Sequence, residues 1–263
     1  MNRRGKSSSF RHVLIVVAMS ATILGPAFAV EKPGKPDKPA ETLDEVKKKI
    51  HERVSRYTTL EYELEIVTEM VTRKMYARNV TKQAGHFKRS GDMLLWRIES
   101  RSKSVQKVGD RDQEMENHSL DVGDGKFTYL LVEMGQNKTV TRRNVNMSQR
   151  TNPFDAMHHF ALLGEDFDLS LLGSENVEDK DAWVIEIRPR PDAESGVAPP
   201  GHSVAYYDKK TGLNFKSVSF DRKGNPRSTM TTSVFRTDEP IDEAKFVFEV
   251  PEGARYSDLT DKP

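Results

Sequence analysis

His158-His159 is the pair that most invites a chemical reading. On a helix, adjacent residues point about 100° apart, so two neighbouring imidazoles cannot chelate one metal as an i, i+4 pair does. No H-E-x-x-H follows. The chain has no cysteine, which excludes disulfides, thiolate metal sites and a Cys nucleophile. There is no G-x-S-x-G elbow, and the Ser, His and Asp residues are too scattered to propose a triad. The acidic pairs Asp166/Asp168 and Glu178/Asp179 sit in turn-like sequence, where carboxylates are solvated. Sequons at Asn79, Asn117, Asn137 and Asn146 matter only in a glycosylating host. Nothing here argues for catalysis, and no metal or cofactor is expected.

The bulk properties narrow the class. Lys and Arg number 41 and Asp and Glu 40, a net charge of +1, so no basic excess marks a general nucleic-acid binder. Hydrophobic residues make up 36% of the 263, enough to build a core. Arg3, Arg4, Lys6 and Arg11 form a positive stretch before the apolar run Val13 to Leu24, and Ala27-Phe28-Ala29 supplies a small-x-small cleavage pattern. Residues 1–29 therefore read as a signal peptide whose removal leaves an exported chain with net charge −3, soluble after cleavage near Ala29. Residues 30–41 carry three prolines and no apolar period and read as an extended tether. Residues 42–263 are expected to form a single domain.

Within that domain Thr42 and Glu45 match a capping box, and Leu43, Val46, Ile50, Val54 and Tyr57 fall on one helical face. After Thr58 the period changes to two. Tyr62, Leu64, Ile66 and Met70 alternate with glutamates, as in a long strand with one wet face. Alternation recurs at Leu94/Trp96/Ile98, Phe127/Tyr129/Leu131, Trp183/Ile185/Ile187, Met230/Thr232/Val234 and Phe246/Phe248/Val250. Asn152-Pro153 is expected to open a short helix with Phe154, Met157, Phe160 and Ala161 at helical spacing, ending near Gly164. The Pro-rich stretch from Pro189 to Gly201 reads as an exposed loop. The expectation is a mainly β fold: a strongly curved antiparallel sheet covered by an N-terminal helix and a short inserted helix. Alternation alone leaves open whether the space beneath the helices is a cavity or a packed core.

Several motifs are similar to those of the periplasmic outer-membrane lipoprotein carrier (LolA-like) family. Gly85-His86-Phe87-Lys88-Arg89 followed by Met93-Leu94-Leu95-Trp96 resembles its glycine, lysine-arginine and tryptophan strand pair. Asp124-Gly125-Lys126 with Phe127 and Tyr129 resembles its next hairpin, Asn152-Pro153-Phe154 its inserted helix, and Asp242 to Ala254 its closing strand. The match runs in order over about residues 42–258. Ser90-Gly91-Asp92 departs from the family pattern, which has a proline there.

The resemblance implies an unclosed β-barrel lidded by helices, whose apolar cavity receives the acyl chains of a lipoprotein. It implies cargo taken from an inner-membrane lipoprotein-releasing transporter and handed to an outer-membrane acceptor, by a periplasmic monomer. Cavity residues are then Tyr62, Leu64, Ile66, Leu94, Trp96 and Phe127, with Phe154, Met157 and Phe160 on the lid. By the same resemblance Arg89 hydrogen-bonds lid backbone and holds the empty cavity shut, provided the register turns Arg89, and not Lys88, inward. The competing expectation is a periplasmic lipid-sensing regulator that binds a membrane-bound anti-sigma factor.

Overall fold

The structure, a computed structural model, describes residues 41–71, 75–108, 111–145, 152–190 and 201–260. The expected signal peptide and all but the last residue of the expected tether lie outside the described residues, as do residues 191–200 of the Pro-rich stretch. Among the described residues no helix is long and apolar enough to cross a membrane.

The chain opens with α1 (Leu43–Val54). Its capping box is reciprocal: the Glu45 N–H donates to Thr42 Oγ1 at 3.3 Å, and the Thr42 N–H donates to Glu45 Oε2 at 2.7 Å. Four long strands follow: β1 (Thr59–Val71), β2 (Met75–Ser90), β3 (Met93–Val108) and β4 (Arg111–Gly123). Next come β5 (Phe127–Met134) and β6 (Asn137–Asn144), then α2 (Ala156–Asp166). The chain continues through β7 (Phe167–Val177), β8 (Lys180–Pro189), β9 (Ser203–Asp208), β10 (Asn214–Phe220) and β11 (Pro226–Thr237). A 3₁₀ turn at Glu243–Phe246 and β12 (Arg255–Asp258) end the described chain.

The twelve strands among the described residues join one sheet, ordered β12-β6-β5-β4-β3-β2-β1-β11-β10-β9-β8-β7. Every pair is antiparallel except β12 on β6, which is parallel. The ends, β12 and β7, do not pair with each other, so the sheet is open, as the resemblance implies.

The two faces carry different cores. On the inner face, defined as the one the helices cover, α1 and α2 pack over Leu60, Phe87, Leu94, Trp96, Trp183 and Ile185. On the outer face a smaller cluster of Leu120, Val122, Leu131 and Val140 lies under Phe248 and Ala254 of the C-terminal segment. That segment corrects the expected closing strand at 246–250. Residues 247–250 run without strand pairing, Phe248 stacks on Tyr129 at 5.0 Å, and Val247 and Val250 are exposed. The strand that does form, β12, comes five residues later and is exposed throughout.

Candidate functional site

The inner face at the α-helical end is built around rings lying flat across neighbouring strands. Trp96 on β3 is fully buried and lies over Gly123, its partner on β4; a Cβ at position 123 would overlap the indole. Its Nε1–H donates to Asp121 Oδ1 at 2.8 Å. Tyr62 lies in the same way over Gly85 and stacks on Phe87 at 6.0 Å. Both glycines are therefore required by close approach: a side chain there would occupy the ring's place. Trp183 on β8 closes the opposite wall, its Nε1–H donating to Glu41 Oε2 at 2.8 Å. The last tether residue is thus anchored to the site. Burial pushes the Tyr207 phenol up to about 12.

Two helices cover this wall. Val46, Ile50 and Val54 present one buried stripe of α1. In α2 the inward residues are Ala156, Phe160 and Leu163, with Phe160 5.7 Å from the Tyr207 ring. Asp155 caps α2 by accepting from the His158 N–H at 3.1 Å, so the helix starts three residues later than Asn152-Pro153 suggests. Phe154 then belongs to the preceding turn, where its N–H donates to Asn152 Oδ1 at 3.0 Å. The helix ends at Asp166, two residues beyond Gly164, and enters β7 directly.

Few polar contacts hold α2 down. Arg89 Nη2 donates to the Phe154 carbonyl at 3.1 Å, and the guanidinium carbon sits 4.8 Å from the Phe154 ring centroid. Its Nε is buried without a hydrogen-bond partner among the described residues. His51 of α1 lies 3.7 Å from the capping Asp155. The register turns Lys88 to the outer face, where Nζ meets Glu243 Oε1 at 2.6 Å, and leaves Arg89 on the inner one.

Of the residues singled out in the sequence, Leu94, Trp96, Phe154 and Phe160 meet in one buried cluster, with Tyr62 at its margin. Leu64 and Ile66 share that face of β1 farther from the helices, outside the cluster. Two expectations are corrected. Phe127 belongs to the outer face, against Tyr129 and 3.7 Å from the Arg142 guanidinium, because its strand turns Thr128 and Leu130 inward. Met157 is 47% exposed, because a helix capped at Asp155 directs positions 156, 160 and 163 at the sheet. The sequence reading overlooked Phe87, Trp183 and Tyr207 as parts of this wall. The Trp183/Ile185/Ile187 alternation carried that signal, and pairing of Trp183 with Tyr207 brings both to the site.

No group of three or more metal-binding side chains occurs among the described residues. His159 instead packs 5.7 Å from the Phe160 ring, and burial, with the neighbouring His158, pushes it down from the ordinary 6.5 to about 4. Because the folded state holds this imidazole neutral, its contribution is fully present above pH 6.5 and is lost as pH falls from there towards 4. Thermal unfolding should therefore show Tm dropping between pH 7 and 5, with a visibly smaller drop in His159→Leu. Equal drops would remove His159 from the coupling.

No family model and no curated protein matches the chain. Solved structures similar to it include an uncharacterized conserved protein from Thermus thermophilus. That protein is 13% identical at TM-score 0.47, over 82% of this chain and 98% of that one. MucB in the Pseudomonas aeruginosa MucA/MucB complex is 16% identical at TM-score 0.42, over 78% of this chain and 60% of that one. This chain thus spans about three fifths of MucB. A LolA superfamily protein from Nitrosomonas europaea is 12% identical at TM-score 0.29, over 80% of this chain and 99% of that one. An open antiparallel sheet with an N-terminal helix and an inserted helix on one face is the architecture that the sequence resemblance implies.

Proposed function

We propose that the protein is a periplasmic binding protein, not an enzyme, that carries lipoprotein acyl chains or another lipid against the inner wall beneath α2. In this reading residues 1–29 direct export and are removed, residues 30–41 tether the single domain 42–263, and Arg89 holds α2 closed when no cargo is bound. Cargo would come from an inner-membrane transporter and pass to an outer-membrane acceptor.

One observation carries the reading. A wall of large apolar side chains, Phe87, Trp96, Trp183 and Tyr207, is covered by a helix of 11 residues that meets it through Ala156, Phe160 and Leu163. A helix that short is not stable by itself and stays only where its apolar face is held. An acyl chain offers the wall a competing partner, since each CH₂ taken from water gains about 0.8 kcal/mol. Displacing α2 exchanges one apolar cover for another, which allows both uptake and release.

Native mass spectrometry of the protein exported under its own leader tests this. The expected species begins at Val30 and carries a lipid adduct lost on collisional activation. A chain with residues 1–29 intact, or a chain free of lipid after gentle extraction from an expressing cell, would overturn the carrier reading. Recovery bound to a membrane-anchored protein without lipid would favour the regulator instead.

A further inference from the structure

Beyond the apolar end, the inner face of β1–β4 changes character without acquiring charge. The inward positions of β2 are Asn79, Thr81 and Gln83, and opposite them on β3 stand Ser104, Ser102 and Ser100. Asn117 and Ser119 continue the row on β4. On the other side Leu64, Ile66 and Met70 of β1 line the same face. The outward positions of the same strands read Glu63, Glu65 and Glu69, then Arg78 and Lys82, then Arg101 and Lys103. Beyond Asp121, which accepts from the Trp96 indole, these inner positions carry no charge, although 31% of the chain is charged and the outer positions of the same strands are rich in it.

These groups form a continuous polar floor. Tyr62 Oη donates to Gln83 Oε1 at 3.1 Å, and Gln83 Nε2 donates to Ser100 Oγ at 2.9 Å. Thr81 Oγ1 and Ser102 Oγ are 2.8 Å apart. Asn79 Oδ1 is buried with no hydrogen-bond partner among the described residues. A hydroxyl has one donor and two acceptor positions, so each paired Ser or Thr keeps capacity for a ligand. Tyr62 joins this floor to the apolar wall: its ring packs on Phe87 and its hydroxyl begins the polar row.

We infer that this floor receives the neutral, polyhydroxylated head of a glycolipid whose acyl chain lies against the apolar wall. The inference rests on the carrier reading and specifies its cargo. A sugar exchanges its hydration for hydroxyl and amide hydrogen bonds at matched polarity, while its C–H faces find Leu64, Ile66 and Met70. A phosphate or phosphocholine head would leave a charge desolvated on a surface that offers it no counter-charge, which is costly.

The test is calorimetric titration of the intact mature protein with monomeric dodecyl maltoside, dodecylphosphocholine and free maltose. Dodecyl maltoside should bind at least about tenfold more tightly than dodecylphosphocholine, a difference of about 1.4 kcal/mol, and free maltose far more weakly than either. The double variant Thr81→Val/Ser102→Ala removes both partners of one hydrogen bond, so it leaves no orphaned group and should fold. It should weaken dodecyl maltoside about fivefold or more and leave dodecylphosphocholine unchanged. Ser104→Ala should act in the same direction. Equal affinity for the two heads, or a variant that weakens both alike, would overturn the glycolipid assignment while leaving the carrier reading intact. Failure of both amphiphiles to bind would overturn the two together. Maltose binding as tightly as its dodecyl glycoside would overturn the proposed use of the apolar wall.

Discussion

Gly123→Val is expected to cost about 3–5 kcal/mol of stability, the size of losing a buried tryptophan's packing. A Cβ at position 123 would overlap the Trp96 ring, which is fully buried and cannot shift without leaving its pocket. The indole would also give up its hydrogen bond to Asp121, leaving a half-buried carboxylate one partner short. A thermal melt should shift down by about 6–20 °C, with the Trp emission moving towards the red. A melt within a degree or two of the parent would mean that the ring does not lie across β4.

Arg89→Leu should act on α2 rather than on the sheet. The change removes the hydrogen bond to the Phe154 carbonyl, worth about 1.5–3 kcal/mol for a charged donor, and the contact with the Phe154 ring. The population with α2 displaced should then rise by about tenfold or more, at 1.4 kcal/mol per factor of ten. Amides of residues 156–166 should exchange with solvent correspondingly faster, and a hydrophobic dye should bind more strongly. The sheet amides should keep their protection, because none of the β1–β4 pairing depends on the guanidinium. Unchanged exchange in α2 would reduce Arg89 to a structural charge and remove it from the control of opening.

How far the fold could be read in advance follows from what each strand shows to its neighbours. The start and buried stripe of the first helix were legible, because Thr42 and Glu45 cap it and Val46, Ile50 and Val54 share one face, but the helix ends at Val54 and leaves Tyr57 beyond it. Strands β1, β3 and β8 were legible because apolar and charged residues alternate along them. Strand β2 was not, since its inward positions are Asn79, Thr81 and Gln83, and polar residues alternating with polar ones leave no period. The same uncharged floor that hid the strand became the basis for the inferred cargo.

Face assignment was harder than element assignment. Alternation shows that Phe127, Tyr129 and Leu131 share a side but not which side the helices cover. The answer depends on Phe248, more than a hundred residues away in sequence, lying over Tyr129. In α2 the error came from the cap. Asn152-Pro153 looks like a helix start, yet Asp155 takes the capping role and rotates Met157 into solvent while Phe160 stays inside. Arg89 and Lys88 could be told apart only through strand register, which fixes one on each face.

The central claim is that an acyl chain lies against the inner wall beneath α2, and the two tryptophans make it directly measurable. The chain has no tryptophan besides Trp96 and Trp183, and both stand buried in that wall. Brominated stearic acid titrated into the mature protein quenches indole emission only on contact. Saturable quenching of more than about half the emission at one equivalent, with a lower concentration for half-effect in Arg89→Leu, is the result this account predicts. Emission unchanged up to the solubility limit of the fatty acid, in the parent and in Arg89→Leu alike, would show that no chain reaches the wall and would contradict it.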